Sequence, residues 1–558
     1  KMEISNKPVV QKIIQECLNH GIKHIVFSPG SRNAPFAISF DAHPDFETHV
    51  IHDERAAAFY ALGISQTLQQ TVALCCTSGS AVLNYFPAIS EAFYREQRLL
   101  VLSADRPKRL INKGHGQTIM QDKVFGKHVK QSLSVEDTSA KMKFDSITSF
   151  FGEIQVQPNR PMHLNIHLEE PLYGVSDILI QKEKANKKER VTENELSLSK
   201  DETQSFRGQK ILVLCGQGST DQILKSALVD FNQNANVVVL NENTSGINNN
   251  SFVNCIDRTL NSIDAKNEKR FVPDILITIG GAIVSKRIKS FFIKHPPKRH
   301  IAINNSNIGI DLFLRLDNHY KCHPASFFKL LNKKATLLND KNFKATWNQL
   351  DYLVKDRIPS FFNKAQTNTD LEVFHALYHT LPEKCTLHLG NSAIVRYMQL
   401  FDPVPNVHYE CNRGTSGIDG CTSTAVGSAI ANPNAQHIFI SGDVSFIYDS
   451  NALWIDPFPK NLKIIVLDNK GGGIFKIIDG SKSSDQLERY FEAKHGADVK
   501  AIANSFGIQV YSGKKIKKIQ DQIIDFFQDN KSQLLVLTTD SNENPKELER
   551  FFKHLNHA

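Results

Sequence analysis

The chain has 558 residues, 41% of them hydrophobic and 22% charged, with a net charge of +8. At roughly 150 residues per domain, this length predicts three or four domains with ample material for several cores. No apolar run approaches the roughly 18 residues of a membrane span, and residues 1–10 lack the apolar stretch and cleavage site of a secretory signal. A cytoplasmic protein is expected.

In chain order, apolar β-type runs alternate with helix-like stretches. His24–Phe27 leads into Ser28-Pro29-Gly30-Ser31-Arg32, Thr48–His52 into Asp53-Glu54-Arg55, and Val72–Cys76 into Thr77-Ser78-Gly79-Ser80. Leu99–Ser103 ends at Ala104-Asp105-Arg106-Pro107, and Met162–Leu168 reads as the last strand of this block. Strands separated by helices predict a parallel sheet covered on both faces. Residues 182–207 are polar and densely charged and predict an exposed linker. A second block runs through KILVLCGQGS at 210–219, Asn236–Leu240, residues 274–282 and His300–Ile303. A third begins near Asp370, with strands at Thr386–Leu389, His437–Ser441, Leu462–Leu467 and Leu534–Thr538. The expected organisation is therefore 1–181, a linker at 182–207, 208–365 and 366–558, all doubly wound α/β.

The nine cysteines form no CxxC pair, which predicts reduced thiols and neither structural zinc nor disulfides. The positive balance suits small anions as well as nucleic acid. Without zinc-finger spacing, an aromatic RNA-binding strand motif or a basic arm, nucleic acid is not an expected partner.

In parallel sheets, ligands gather at the carboxyl ends of strands. Two such ends carry Gly442-Asp443-Val444-Ser445 and, 26 residues after Asp443, Asn469-Lys470-Gly471-Gly472-Gly473. One strand–helix–strand unit fills that interval, and neighbouring strands lie about 4.8 Å apart. The Asp443 and Asn469 oxygens can therefore share one hard cation such as Mg²⁺, together with a backbone carbonyl and diphosphate oxygens. The glycines let the backbone approach a diphosphate and donate N–H groups to it.

This GD…N pattern resembles that of thiamine diphosphate enzymes, which consist of a pyrimidine-binding domain, a middle Rossmann-like domain and a diphosphate-binding domain in that order. Glu54, in HDERAAA, stands where the family carries the glutamate that hydrogen-bonds the cofactor's aminopyrimidine and favours its proton-abstracting tautomer. SPGSRNAP, HDERAAAFYALG, TSGSAVLNYFPAISEA, SADRP, GNSAIVR, RGTSGIDG and DNKGGGIF resemble, in order, the transferase branch of menaquinone biosynthesis. That branch decarboxylates 2-oxoglutarate and adds the resulting succinic semialdehyde equivalent to isochorismate in a 1,4-addition. The other reading within the family is an acetolactate synthase-like carboligase, disfavoured because small 2-oxo acids need fewer carboxylate receptors. A non-catalytic metabolite sensor is disfavoured by the intact Glu54, Asp443 and Asn469.

The resemblance implies thiamine diphosphate with Mg²⁺ (or Mn²⁺) as cofactors, with Asp443, Asn469 and the Gly471 carbonyl as metal ligands. It assigns Asn391, Ser392, Gly442, Val444 and Ser445 to the cofactor, together with Ile418, which wedges its rings into a V, and an apolar wall at Ile474 and Phe475. Ser31, Arg32, Arg106, Gln117, Lys286, Arg287, Arg396 and Arg413 are the implied substrate contacts, guanidinium forks being natural receptors for dicarboxylates. It also implies a homodimer or homotetramer with active sites at subunit interfaces. Two departures stand out: Gly116 replaces a common asparagine, and Asp468 replaces the asparagine common before Asn469.

Overall fold

A computed structural model of the chain describes residues 2–137, 141–183, 196–335, 337–363, 367–478, 480–513 and 518–556. Its strands are β1 (Met2–Ser5), β2 (His24–Phe27), β3 (Glu47–Val50), β4 (Val72–Cys76), β5 (Leu99–Asp105), β6 (Gln131–Glu136), β7 (Met162–His167) and β8 (Val175–Ile178) in the first block. The second block has β9 (Ile211–Cys215), β10 (Val237–Asn241), β11 (Ile275–Ile279), β12 (Arg299–Asn304) and β13 (Asn318–Lys321). The third has β14 (Cys385–Leu389), β15 (Val407–Cys411), β16 (Gln436–Gly442), β17 (Leu462–Asp468) and β18 (Leu534–Thr538).

The strands form three α/β sheets with orders β3-β2-β4-β5-β7-β6, β10-β9-β11-β12-β13 and β15-β14-β16-β17-β18. The orders reverse beside β2/β4, β9/β11 and β14/β16, and the first turns back again at β6, which lies outside β7; a reversal of the first kind opens a crevice at the carboxyl ends of the strands. The central strands read as nearly unbroken apolar runs because both of their faces are buried: β4, β9 and β11 are buried at every residue, as is the edge strand β10. Met162–His167 is not the last strand of its block, since β8 follows and pairs antiparallel with β1.

Of the expected linker, residues 184–195 lie outside the described residues. The following stretch is not an exposed tether. Lys200–Gln204 forms a helix opened by a Ser199–Glu202 capping box, and Leu198 and Phe206 are buried in the core of the second sheet. Two well-spaced apolar residues outweigh a charged composition.

The chain groups into two compact units: residues 1–190 with 414–434 and 448–462, and residues 191–413 with 435–447 and 463–558. The helix Cys421–Ala431, expected with the third sheet, thus belongs to the first unit, where it packs on the helix Glu54–Leu68. Small residues allow this. A Cβ at Gly63 would lie 2.1 Å from the Thr424 carbonyl oxygen, and one at Gly427 would lie 2.1 Å from that of Tyr60. Among the described residues no helix is long and apolar enough to cross a membrane. All nine cysteines are free.

Candidate active site

In the first unit, Glu54 opens the helix Glu54–Leu68, whose N-cap Asp53 accepts the Arg55 and Ala56 N–H groups at 2.8 and 3.3 Å. Asn451 Nδ2 donates to the other Asp53 oxygen at 2.6 Å, and the Arg55 guanidinium donates to the Tyr448 carbonyl at 2.7 Å while lying over the Tyr448 ring. Glu54 is therefore held by a braced helix end. Its carboxyl is pushed up, chiefly by burial and further by the Asp53 charge. Among the described residues no cation pairs with it.

The turns after β2 and β4 meet at the reversal of the first sheet. A Cβ on Gly30 would come within 2.3 Å of the Thr77 Cβ, and Thr77 Oγ1 accepts the Arg32 N–H at 3.1 Å. Arg32 is buried, donates to the Leu168 carbonyl at 3.2 Å and pairs with Glu170 at 2.8 Å. Ser31 beside it is exposed. Arg106 follows β5, with a buried Nε that has no protein partner. Gln117 adopts φ +52° and passes close to Gly79. In the segment around Ile418, the buried Glu91 carboxylate accepts the Gly414 N–H at 2.8 Å and the Thr415 N–H and Oγ1 at 2.6 and 2.9 Å. Glu91 is an organising residue; it falls within the family-like segment TSGSAVLNYFPAISEA, but nothing in that segment marks its role.

In the second unit, β16 and β17 are hydrogen-bonded neighbours, so Asp443 and Asn469 follow adjacent strand ends. The Asp443 side chain is buried. Its Oδ1 accepts the Val444 N–H at 2.8 Å, and its Oδ2 stands 3.1 Å from His495 Nε2. Burial pushes its carboxyl up to about 6. Asn469 Oδ1 and Asp468 Oδ1 are buried without a hydrogen-bond partner, and Lys470 pairs with the other Asp468 oxygen at 2.8 Å. Buried oxygen acceptors without protein donors fit a hard divalent cation. The Gly471 carbonyl accepts the Gly473 N–H at 3.0 Å, which occupies one of its two lone pairs. A Cβ on Gly442 would meet nothing within 4 Å, so that turn borders open space, whereas one on Gly471 would run into the Glu492 carbonyl at 2.7 Å. Ser445 and Ile474 are buried, and the half-buried Phe475 faces Phe491 at 5.8 Å between ring centres.

At the β14 end, Asn391 Nδ2 donates to the Asn412 carbonyl at 2.6 Å, and its Oδ1 accepts Arg413 at 3.0 Å. Ser392 holds φ +70°, a strained backbone for a non-glycine residue and one often found at functional sites. Arg396 donates to the Val284 carbonyl at 2.9 Å, and Arg396 and Arg413 each keep a buried Nε without a partner. Among the described residues neither forms an ion pair. Burial, and then the charge of Arg413, lowers the pKa of Arg396. Lys289 is lowered by burial and stands near Arg413, Arg396 and Lys286. It is a further basic residue, three positions beyond Lys286 on the amphipathic helix Lys286–Lys294. The nearby Glu242 is pushed up to about 7 by burial and accepts the Val284 and Ser285 N–H groups at 2.8 Å each. Lys286 is exposed, and the Arg287 guanidinium lies over the Phe552 ring at 4.8 Å.

Residues 8–125 match the family described as thiamine pyrophosphate enzyme, N-terminal TPP binding domain, and residues 390–537 match its C-terminal TPP binding domain. Three curated relatives bear the name 2-succinyl-5-enolpyruvyl-6-hydroxy-3-cyclohexene-1-carboxylate synthase. That of Flavobacterium johnsoniae is 38% identical over 98% of this chain and 99% of its own. That of Flavobacterium psychrophilum is 37% identical with the same coverage, and that of Porphyromonas gingivalis is 32% identical over 99% of this chain and 98% of its own. End-to-end likeness at this level, joined to thiamine pyrophosphate domains that contain Glu54, Asp443 and Asn469, places the chain in the family of 2-succinyl-5-enolpyruvyl-6-hydroxy-3-cyclohexene-1-carboxylate synthases.

Proposed function

We propose that the protein decarboxylates 2-oxoglutarate and adds the remaining four-carbon unit to isochorismate, releasing CO2 and 2-succinyl-5-enolpyruvyl-6-hydroxy-3-cyclohexene-1-carboxylate. The observation that carries this reading is the pair Arg396 and Arg413: Arg413 is buried and Arg396 half-buried, each keeps a buried Nε without a partner, their charges oppose each other, and neither has an ion-pair partner among the described residues. Asp257 and Glu242 offset part of this charge from a distance, but a largely desolvated cation without a direct ion pair remains costly until a bound anion completes it. Both proposed substrates are dicarboxylates, and planar forks receive carboxylates with two parallel hydrogen bonds. Within the same unit, Lys286, Arg287 and Lys289 add to the positive charge of that pair; Arg32, Arg106, Ser31 and Gln117 are the further substrate contacts that the resemblance implies.

Thiamine diphosphate, when bound, supplies the carbanion chemistry by which a 2-oxo acid loses CO2 and attacks an acceptor. Asp443, Asn469 and the Gly471 carbonyl would hold Mg²⁺ or Mn²⁺ against its diphosphate, with Asn391, Ser392, Gly442, Val444 and Ser445 around them. Glu54 would hydrogen-bond the pyrimidine, and its raised pKa lets it share a proton there. Ile418 would support the bent cofactor. Ile474 and Phe475 would exclude water, which favours loss of charge during decarboxylation. The active form is a cytoplasmic homodimer or homotetramer, with the three-domain division and sites at subunit interfaces as in the resemblance above.

The test follows isochorismate absorbance with Mg²⁺ and thiamine diphosphate, with and without 2-oxoglutarate, alongside CO2 release. Consumption that requires every component supports the reading. Turnover of pyruvate in place of 2-oxoglutarate overturns it.

A further inference from the structure

A cluster at the opposite end of the first sheet has no part in the chemistry above. His24 is the first residue of β2 and Glu47 the first of β3, and the parallel register sets His24 against Glu47 and Val26 against His49. His24, Glu47 and His49 therefore share one face at the amino ends of the strands, whereas Ser31 and Arg32 follow the carboxyl end of β2. His24 Nδ1 and His49 Nε2 lie 3.2 Å apart, and the Glu47 carboxylate stands 3.7 Å from the first and 3.9 Å from the second. One ligand atom from each residue falls within 4.8 Å of the others.

We propose that His24, Glu47 and His49 form a binding site for a tetrahedral divalent transition-metal ion of the Zn²⁺ class, with solvent as the fourth ligand. Zinc bonds of about 2.0–2.1 Å at tetrahedral angles put ligand atoms about 3.3 Å apart. The two imidazole nitrogens already have that spacing, and one oxygen of the carboxylate, within 4.8 Å of both, needs to close by at most about 1.5 Å. Glu47 sits on an edge strand with its side chain 49% exposed, so it is free to move and leaves a solvent-facing position.

The buried Tyr60 hydroxyl lies 3.0 Å from His49 Nδ1 and fixes that ring with Nε2 turned toward the cluster, the outer-sphere arrangement that orients metal-bound histidines. Burial lowers both histidines, His49 to about 4, so both are neutral and keep a lone pair at neutral pH. The remaining charged neighbour is the exposed Lys23 ammonium, 3.8 Å from Glu47. It can swing into water when a cation takes the carboxylate.

The experiment uses untagged full-length protein, stripped with EDTA, returned to Mg²⁺ buffer and titrated with ZnCl2 by calorimetry. Bound zinc is counted after gel filtration, and Co²⁺ substitution reports geometry through its visible bands. Wild type is expected to retain one equivalent of zinc that His49→Ala loses, while Glu47→Gln binds at least about 10-fold more weakly. Unfolding temperature should rise with zinc in wild type and not in His49→Ala. Glu47→Gln, at an exposed position, keeps the comparison valid if His49→Ala fails to fold. Wild type that holds no zinc overturns the proposal, as do variants that hold the same equivalents with the same affinity.

Discussion

Replacing either glycine at the crossing of the helices Glu54–Leu68 and Cys421–Ala431 sets two effects of opposite sign against each other. Alanine in mid-helix is favoured over glycine by about 1 kcal/mol through propensity. Yet the added Cβ of Gly63→Ala falls 2.1 Å from the Thr424 carbonyl oxygen and 2.8 Å from the Ser428 nitrogen, and that of Gly427→Ala falls 2.1 Å from the Tyr60 oxygen. All are backbone atoms, so no rotamer change relieves the clash. Reaching an ordinary contact of 3.4 Å requires the helices to part by about 1.3 Å. Overpacking of this kind costs about 1–3 kcal/mol, and parting the helices also breaks the Thr67–Ser428 hydroxyl contact at 2.5 Å. Each single variant should therefore lose about 1–2 kcal/mol net, lowering Tm by roughly 2–4 °C per kcal/mol. The double variant should lose less than the sum, because one separation serves both methyls. Glu54 heads this helix, and a displacement near 1 Å can cost about 100-fold in rate, so kcat should fall with Tm. Thermal unfolding and initial rates on the same preparations decide it. A Gly63→Ala protein at least as stable and as active as wild type would refute the reasoning, since propensity would then outweigh the close approach.

Three further outcomes follow from individual side chains. Glu54→Gln should leave the Kd of thiamine diphosphate nearly unchanged, measured by calorimetry, while kcat falls by about 100-fold or more. Arg396→Met should raise KM for the dicarboxylate substrates at least about 10-fold, one lost charge-assisted hydrogen bond being about 1.5–3 kcal/mol. The same variant should leave the ligand-free Tm unchanged or higher, because it removes a half-buried cation that burial and the Arg413 charge both disfavour; a marked fall in Tm would contradict the reading. Asp449, buried against the Ser423 N–H and hydroxyl at 2.7 and 2.9 Å, has a carboxyl raised to about 7 by burial. The folded chain then holds a proton that the unfolded chain releases near pH 4, so this group's contribution to stability declines as pH rises from about 4 to 7. Asp449→Asn should flatten that decline in Tm-against-pH scans, and identical slopes would count against it.

The sequence revealed elements and residues wherever the physical demand is local. β2, β4 and β18 stand out as apolar runs, and Asp443, Asn469 and Glu54 fall in short segments where residue type and strand end coincide. β6, β13 and β15 escape such a reading because QSLSVE, NHYK and VHYEC mix polar residues into short edge strands; in β6 and β13 most residues are only partly covered, whereas in β15 even Glu410 is buried, paired with His408. Lys289, Glu91 and His495 escape it for another reason: each acts on residues far away in the chain, Glu91 on Gly414 and Thr415 and His495 on Asp443. The assignment of Cys421–Ala431 to the first unit depends on Gly63 and Gly427 facing one another, a complementarity that neither segment displays alone. His24 and His49 show the same limit, since 25 residues and a helix separate them until the β2–β3 register brings their rings together. A motif marks where backbone and side chain serve one ligand within a single turn; the charge that tunes it, and the packing that aims it, are supplied by distant segments through the register of the sheet.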